Sequence, residues 1–292
     1  MTHTFSFRAM NVDFSFTLPP HCAPLQPMLQ QWLLALEKQW SRFNDTNELA
    51  QINRLAIGET MQISPLLYTC LQSAHKYYLR TNGLFSPYLR KQMVANGYVT
   101  SFPFRHSALR TLPKPETALS FLPQYTVQKY ARGEVDLGGF AKGFLIDQLC
   151  VMLENNYNAE YGQIIGGDDM RMWSTTDKVW SVTLNHPTQQ VPMTSLRIKN
   201  GAVATSSRLQ RQWQTSQDFV HHILNGQTGL PAQTDIVQAT FICDDLTTGE
   251  VGAKLSFLTE QSLLGPSSCY IVKADGSHNW QQQAIKKAVG KV

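Results

Sequence analysis

The stretch Val135-Asp-Leu-Gly-Gly-Phe-Ala-Lys-Gly-Phe-Leu-Ile-Asp-Gln-Leu149 constrains this chain more than any other segment. Gly138 and Gly139 carry no Cβ, so the backbone there can turn sharply and approach a ligand closely. Leu145, Ile146, Leu149 and Met152 follow at helical spacing, so the turn opens a helix. A helix N-terminus presents unpaired backbone N–H groups and the positive end of its dipole, which favours an anion such as a pyrophosphate. Lys142 adds a full charge at that point. A phosphate-holding turn and an ordinary helix start with a surface lysine both stay open on this stretch alone. The segment is neither a Walker A loop nor a Rossmann G-x-G-x-x-G, because both spacings are absent.

At 292 residues, with 42% hydrophobic and 16% charged residues, the chain can bury a substantial core and has no signature of a disordered or coiled-coil protein. Its net charge of +4 arises from basic residues that are spread out, apart from Lys286-Lys287. That pattern does not indicate nucleic-acid binding and suits a small anionic ligand. Cys22, Cys70, Cys150, Cys243 and Cys269 are far apart and lack C-x-x-C pairing, so neither a disulfide framework nor a zinc knuckle is expected. No apolar run is long enough to span a membrane, and the first residues lack the features of a secretory signal. The expectation is a cytoplasmic, non-membrane-spanning protein.

Alternation predicts a strand or hairpin over residues 4–18, with Phe5, Phe7, Val12, Phe14 and Phe16 on matching faces. Apolar residues from Leu25 to Trp40 predict an amphipathic helix. Asp45 and Glu48 have capping-box spacing ahead of a short helix containing Leu49 and Ile52. A further helix is expected over residues 65–81, an irregular proline-rich stretch over 87–123, and a β-rich run over 125–135. Short strands are expected over 179–184, 195–198, 201–205, 222–224 and 238–243, and a helix over 249–258. This irregular mixture favours α+β over regular βαβ winding.

Five further clusters carry chemistry-bearing side chains. Thr81-Asn-Gly-Leu-Phe-Ser-Pro87 reads as a tight turn, with Phe85 tucked into a core as the plain alternative. Gly166-Gly167-Asp168-Asp169 sets two carboxylates after a turn. Residues 202–213 combine hydroxyls with Arg208 and Arg211. In His221-His222-Ile-Leu-Asn-Gly-Gln-Thr-Gly229, a histidine near neutral pKa suits acid–base work, whereas a pair with no third and fourth ligand argues against zinc. Glu250 and Lys254 stand four apart, which as a surface pair is worth only about 0.3–0.5 kcal/mol.

Read in order, these clusters resemble the ApbE family of flavin transferases, which move FMN from FAD onto a Thr or Ser of an acceptor protein. The resemblance rests on Met10, Ser41-Arg-Phe-Asn-Asp-Thr-Asn-Glu-Leu-Ala-Gln-Ile-Asn53, Thr81–Pro87, Val135–Gly143 with Asp147, Ile165-Gly-Gly-Asp168, Val203-Ala-Thr-Ser206 and His222–Gly229. It implies one compact α+β domain over residues 1–292, related to the T-fold, with mixed or antiparallel sheets and flanking helices. It also implies FAD contacts at Met10, Phe43, Leu84, Phe85, Ser86, Asp136, Gly138, Gly139, Lys142 and Leu224. Catalytic roles fall to His222, Lys142 and Lys254. Mg²⁺ is expected at the Gly139 carbonyl and Glu250.

The family's late helix reads A-D-x-x-x-T, where this chain has Gly249-Glu-Val-Gly-Ala-Lys254. The ammonium of Lys254 would repel a metal and can replace it electrostatically. The resemblance therefore implies an FAD:protein FMN transferase with FAD and a flavoprotein acceptor as partners. A flavin-holding homologue without transfer and an FAD pyrophosphatase are the alternatives.

Overall fold

The computed structural model describes residues 1–189, 191–215, 219–261, 263–265, 267–283 and 290–291; Lys286 and Lys287 lie outside them. In chain order the elements are β1 (His3–Ala9), β2 (Val12–Leu18), α1 (Gln26–Trp40), α2 (Glu48–Arg54), β3 (Thr60–Gln62), α3 (Pro65–Arg80), α4 (Arg90–Ala95), β4 (Leu119–Leu122) and β5 (Thr126–Lys129). Next come α5 (Ala141–Tyr157), β6 (Tyr161–Gly166), β7 (Asp169–Ser174), β8 (Trp180–Asn185), β9 (Pro192–Ile198), β10 (Gly201–Ser207), β11 (Gln212–Gln214) and β12 (Phe219–His221). The last are β13 (Ile236–Cys243), α6 (Leu246–Leu255), β14 (Ser267–Lys273), β15 (His278–Gln283) and β16 (Gly290–Lys291). They divide into two compact units, one of Met1–Leu34, Lys142–Leu209 and Asp235–Val292, the other of Ala35–Ala141 and Gln210–Thr234.

The first unit is built on an eight-stranded sheet in the order β1-β2-β6-β7-β10-β13-β14-β15, with every neighbouring pair antiparallel. The opening alternation produces the expected hairpin. Phe5 pairs with Phe16 and Phe7 with Phe14, and the Phe5 and Phe16 rings stack 4.9 Å apart. Met10 and Asn11 turn the hairpin with φ of 51° and 60°, a left-handed conformation uncommon for a methionine. Helix α5 buries Phe144, Leu145, Ile146, Leu149, Cys150 and Leu153, as its nearly continuous apolar sequence requires. A second core of Met172, Trp180, Val182, Leu196, Ile242 and Val272 joins the large sheet to the β8–β9 pair.

In the second unit, β3, β5 and β4 form one antiparallel sheet and β11 pairs with β12. The core sets Leu89, Met93, Tyr98, Trp213, Val220 and Leu224 together. Five expectations change here. The cap of α2 is Asn47, whose side chain accepts the Ala50 N–H at 2.8 Å, not Asp45. Glu48 does not close a capping box, because its carboxylate accepts the N–H and hydroxyl of Ser64 at 2.6 and 2.7 Å. The expected strand over 222–224 ends earlier, with β12 closing at His221 and Leu224 making only a single bridge to Pro231. The proline-rich stretch also holds α4, while the run 125–135 yields only β5. The α+β class, with antiparallel sheets and flanking helices, is as expected.

Candidate functional site

In the first unit four charged side chains meet. Lys142, in the first turn of α5, directs its Nζ to Asp169 Oδ2 and, at 2.7 Å, to Glu250 Oε1. Lys254 stands one turn beyond Glu250 on α6, its Nζ 3.7 Å from Oε2 and donating to the Glu250 backbone carbonyl at 3.0 Å. Glu250 is 3% exposed, so this is no surface pair. The Gly143 N–H, in the first turn of α5, donates to Glu250 Oε1 at 3.0 Å, and the Thr205 N–H from β10 donates to Asp169 Oδ1 at 2.7 Å.

Local sequence explains this convergence. A Cβ on Gly143 would stand 2.9 Å from the Leu246 carbonyl oxygen and 3.0 Å from Glu250 Cγ, so glycine lets the start of α5 meet α6. Asp147, one turn further along α5, accepts the N–H groups of Leu246 and Thr247 at 3.0 and 2.7 Å and so holds the N-terminus of α6. Asp245 caps the same helix through the Thr248 N–H.

Burial opposes the charge of Glu250, but Lys142 and Lys254 outweigh it and hold its carboxyl at about 2. Burial raises Asp169, with Glu250 acting in the same direction against the pull of Lys142. Lys142 is itself held above the usual lysine range, its two carboxylates overcoming burial.

In the second unit the expected flavin contacts gather around Asp136. Its Oδ1 accepts the Gly138 N–H at 2.7 Å, and its Oδ2 receives Arg42 Nη1. The guanidinium of Arg42 lies 4.1 Å from the Tyr98 ring centroid and 5.0 Å from that of Phe43. Phe43 is 42% exposed. A Cβ on Gly138 would stand 3.0 Å from Asp136 Oδ1 and 3.3 Å from Arg42 Nη1, so close approach explains this glycine. The Asp136 N–H donates to the Pro87 carbonyl at 2.8 Å, which ties the turn to Leu84–Ser86, and the Gly226 N–H donates to the Leu84 carbonyl at 2.8 Å. Phe85 is buried against Tyr77 and Phe140, and Leu224 is buried in the Trp213 core. Their side chains serve packing, leaving the backbone of the turn as the surface they shape.

The two histidines differ. His221 has its Nε2 3.1 Å from the Ala232 carbonyl and its Nδ1 accepting the Ile223 N–H, so it is a buried structural residue. His222 has Nδ1 3.2 Å from the Arg211 carbonyl, which only accepts, so Nδ1 carries the hydrogen and Nε2 is the basic nitrogen.

Sequence reading named Asp168 and Asp169 together without choosing between them, and gave Arg42 and Tyr98 no role. Asp168 takes the β6–β7 turn, whereas Asp169 opens β7 and its side chain joins the cluster. Among the described residues no three His, Cys, Asp or Glu side chains group to hold a metal. Glu250, expected as a metal ligand, turns its oxygens to two ammonium groups and an N–H. A hard cation requires several oxygen donors and would face those ammonium charges, so the residues here do not fit Mg²⁺.

An antiparallel α+β fold with these residue clusters defines a class, and comparison with known proteins shows which. The ApbE family model matches residues 2–263, and the chain belongs to the ApbE family. The FAD:protein FMN transferase of Chlamydia muridarum is 24% identical over 214 residues, covering 68% of this chain and 63% of the relative, which is under two thirds of that relative's length. The FAD:protein FMN transferase of Treponema pallidum is 25% identical over 259 residues, covering 79% of this chain and 69% of the relative. The crystal structure of the ApbE protein of Thermotoga maritima matches with a TM-score of 0.82 at 20% identity, covering 96% of each chain. The flavin transferase ApbE of Vibrio cholerae matches at 0.77 and 18% identity, covering 97% of this chain and 98% of that one. At these identities the structural likeness establishes the fold. Among the described residues no helix is long and apolar enough to cross a membrane.

Proposed function

We propose that this chain is an FAD:protein FMN transferase, acting as one functional domain on a Thr or Ser of a flavoprotein acceptor in the cytoplasm. The observation that carries this reading is the family match over residues 2–263, which runs through both units. The residues proposed for FAD are Met10, Phe43, Leu84, Phe85, Ser86, Asp136, Gly138, Gly139, Lys142 and Leu224.

In the proposed reaction the acceptor hydroxyl oxygen bonds to the FMN-side phosphorus while the bond from that phosphorus to the bridging oxygen breaks. AMP leaves with the electron pair. His222 takes the hydroxyl proton at Nε2, a role supported by the Arg211 carbonyl that fixes its tautomer. Lys142 and Lys254 act on the phosphates by masking Asp169 and Glu250, whose bare charges would repel a pyrophosphate.

A second reading, a chain that holds FAD without transferring FMN, is favoured by the engagement of Glu250 with two ammonium groups. Incubating the protein with FAD and a flavoprotein acceptor, then separating nucleotides and flavins, distinguishes the readings. AMP with acceptor-linked FMN supports transfer, and intact FAD supports the second reading. AMP with free FMN identifies a pyrophosphatase and sinks the transferase.

A further inference from the structure

The Glu250 cluster is electrically closed. Two lysines face two carboxylates, so its formal charges cancel, and each carboxylate oxygen has a partner. Glu250 Oε1 accepts from Lys142 and the Gly143 N–H, while its Oε2 faces Lys254. Asp169 Oδ1 accepts from Thr205 and its Oδ2 from Lys142. A divalent cation reaching Glu250 would have to displace an ammonium group from a buried carboxylate or sit beside it, and both are opposed at short range by Coulomb repulsion.

Lys254 is not an exchangeable ion. It is tied to Glu250 by the helical spacing of four residues and by its hydrogen bond to the Glu250 carbonyl at 3.0 Å. Its charge therefore stays at the carboxylate whatever the ionic composition of the solution.

We propose that Lys254 is the resident cation of Glu250, so that this chain binds no divalent metal there and its interaction with FAD is metal-independent. The first half stands on the cluster alone; the second rests on the flavin-transferase reading. Replacing Lys254 with a neutral side chain leaves Glu250 Oε2 without its cation, while Lys142 still spans Oε1 and Asp169, and so opens to a divalent metal an oxygen that the native chain closes.

The test is a Mn²⁺ titration of the full chain followed by electron paramagnetic resonance, with native protein, Lys254→Ala and Lys254→Met, each checked for folding by circular dichroism. FAD titrations by flavin fluorescence are run alongside, in chelator and in Mg²⁺. The expected result is no saturable Mn²⁺ site in the native chain and at least about tenfold tighter Mn²⁺ binding in a folded Lys254 variant, as loss of a neighbouring positive charge requires. FAD affinity is expected to agree within about twofold between chelator and Mg²⁺. One Mn²⁺ bound by the native chain and lost in Glu250→Gln overturns the proposal, as does a folded Lys254→Met that gains no Mn²⁺ affinity. FAD binding that requires Mg²⁺ overturns its second half. Failure to bind FAD under either condition contradicts the flavin reading, and the Mn²⁺ titration still decides the role of Lys254.

Discussion

Each unit places a cation on a buried or half-buried carboxylate, and the two arrangements differ in what they leave for a ligand. In the first unit Lys142 and Lys254 close on Asp169 and Glu250, and the charge is neutralised inside the protein. In the second, Arg42 meets Asp136 through Nη1 while its guanidinium carbon lies over the rings of Tyr98 and Phe43, 4.1 and 5.0 Å from their centroids. Lysine acts as a point charge, whereas the flat fork of arginine satisfies a carboxylate and packs on aromatic rings together. The lysine cluster is an electrostatic fixture; the arginine cluster presents an exposed ring, Phe43, suited to a planar ligand.

The largest expected effect is on the lysine cluster. Lys142→Ala strands Asp169 and Glu250 without their shared cation, and should lower unfolding free energy by about 3–5 kcal/mol in a denaturant titration. A loss below about 1 kcal/mol, the value of a surface pair, would erase the contrast with exposed ion pairs. In the second unit, His222→Gln should slow FMN transfer by roughly 10²–10⁴-fold with FAD affinity unchanged, because it removes the proton acceptor and leaves the Asp136 cluster intact. Equal losses in affinity and rate would make His222 a structural residue like His221.

Acid should also separate the clusters. Glu250 moves from an ordinary value of 4.5 to about 2 on folding, so its stabilisation is present above pH 4.5 and is lost as pH falls towards about 2. The raised carboxyl of Asp169 works in the opposite direction, its folded form gaining protons first as pH falls. Comparing native protein with Glu250→Gln in denaturant melts across this range isolates the Glu250 contribution; parallel curves would contradict it. The smallest effect is expected for Arg42→Lys, which keeps the charge on Asp136 but loses the stacking on Tyr98. A cost of about 0.5–2 kcal/mol, with weaker FAD binding, is expected from calorimetry and fluorescence.

The parts legible in sequence were those set by local pattern. Alternating phenylalanines specified the first hairpin, and apolar periodicity specified α1, α3 and α5. The Gly-Gly-Phe-Ala-Lys-Gly segment was legible as a turn opening a helix, but the direction taken by Lys142 was not. Its ammonium meets residues 27 and 108 positions away, and such pairings leave no local trace. Asp168 and Asp169 are indistinguishable by composition; strand phase, which turns successive side chains to opposite faces, selects Asp169. The cap at Asn47 was masked by the competing Asp45–Glu48 spacing, because the tertiary partner of Glu48, Ser64, lies beyond any capping motif. Arg42 was hidden for a similar reason: its carboxylate partner is Asp136, 94 residues on.

The most direct test of the account is the intact mass of a flavoprotein acceptor after incubation with this protein and FAD in excess chelator. A gain of one FMN, with AMP released in equal amount, is the predicted result. An unmodified acceptor in chelator that becomes flavinylated once Mg²⁺ is restored would contradict the assignment of Lys254 as the cation at Glu250.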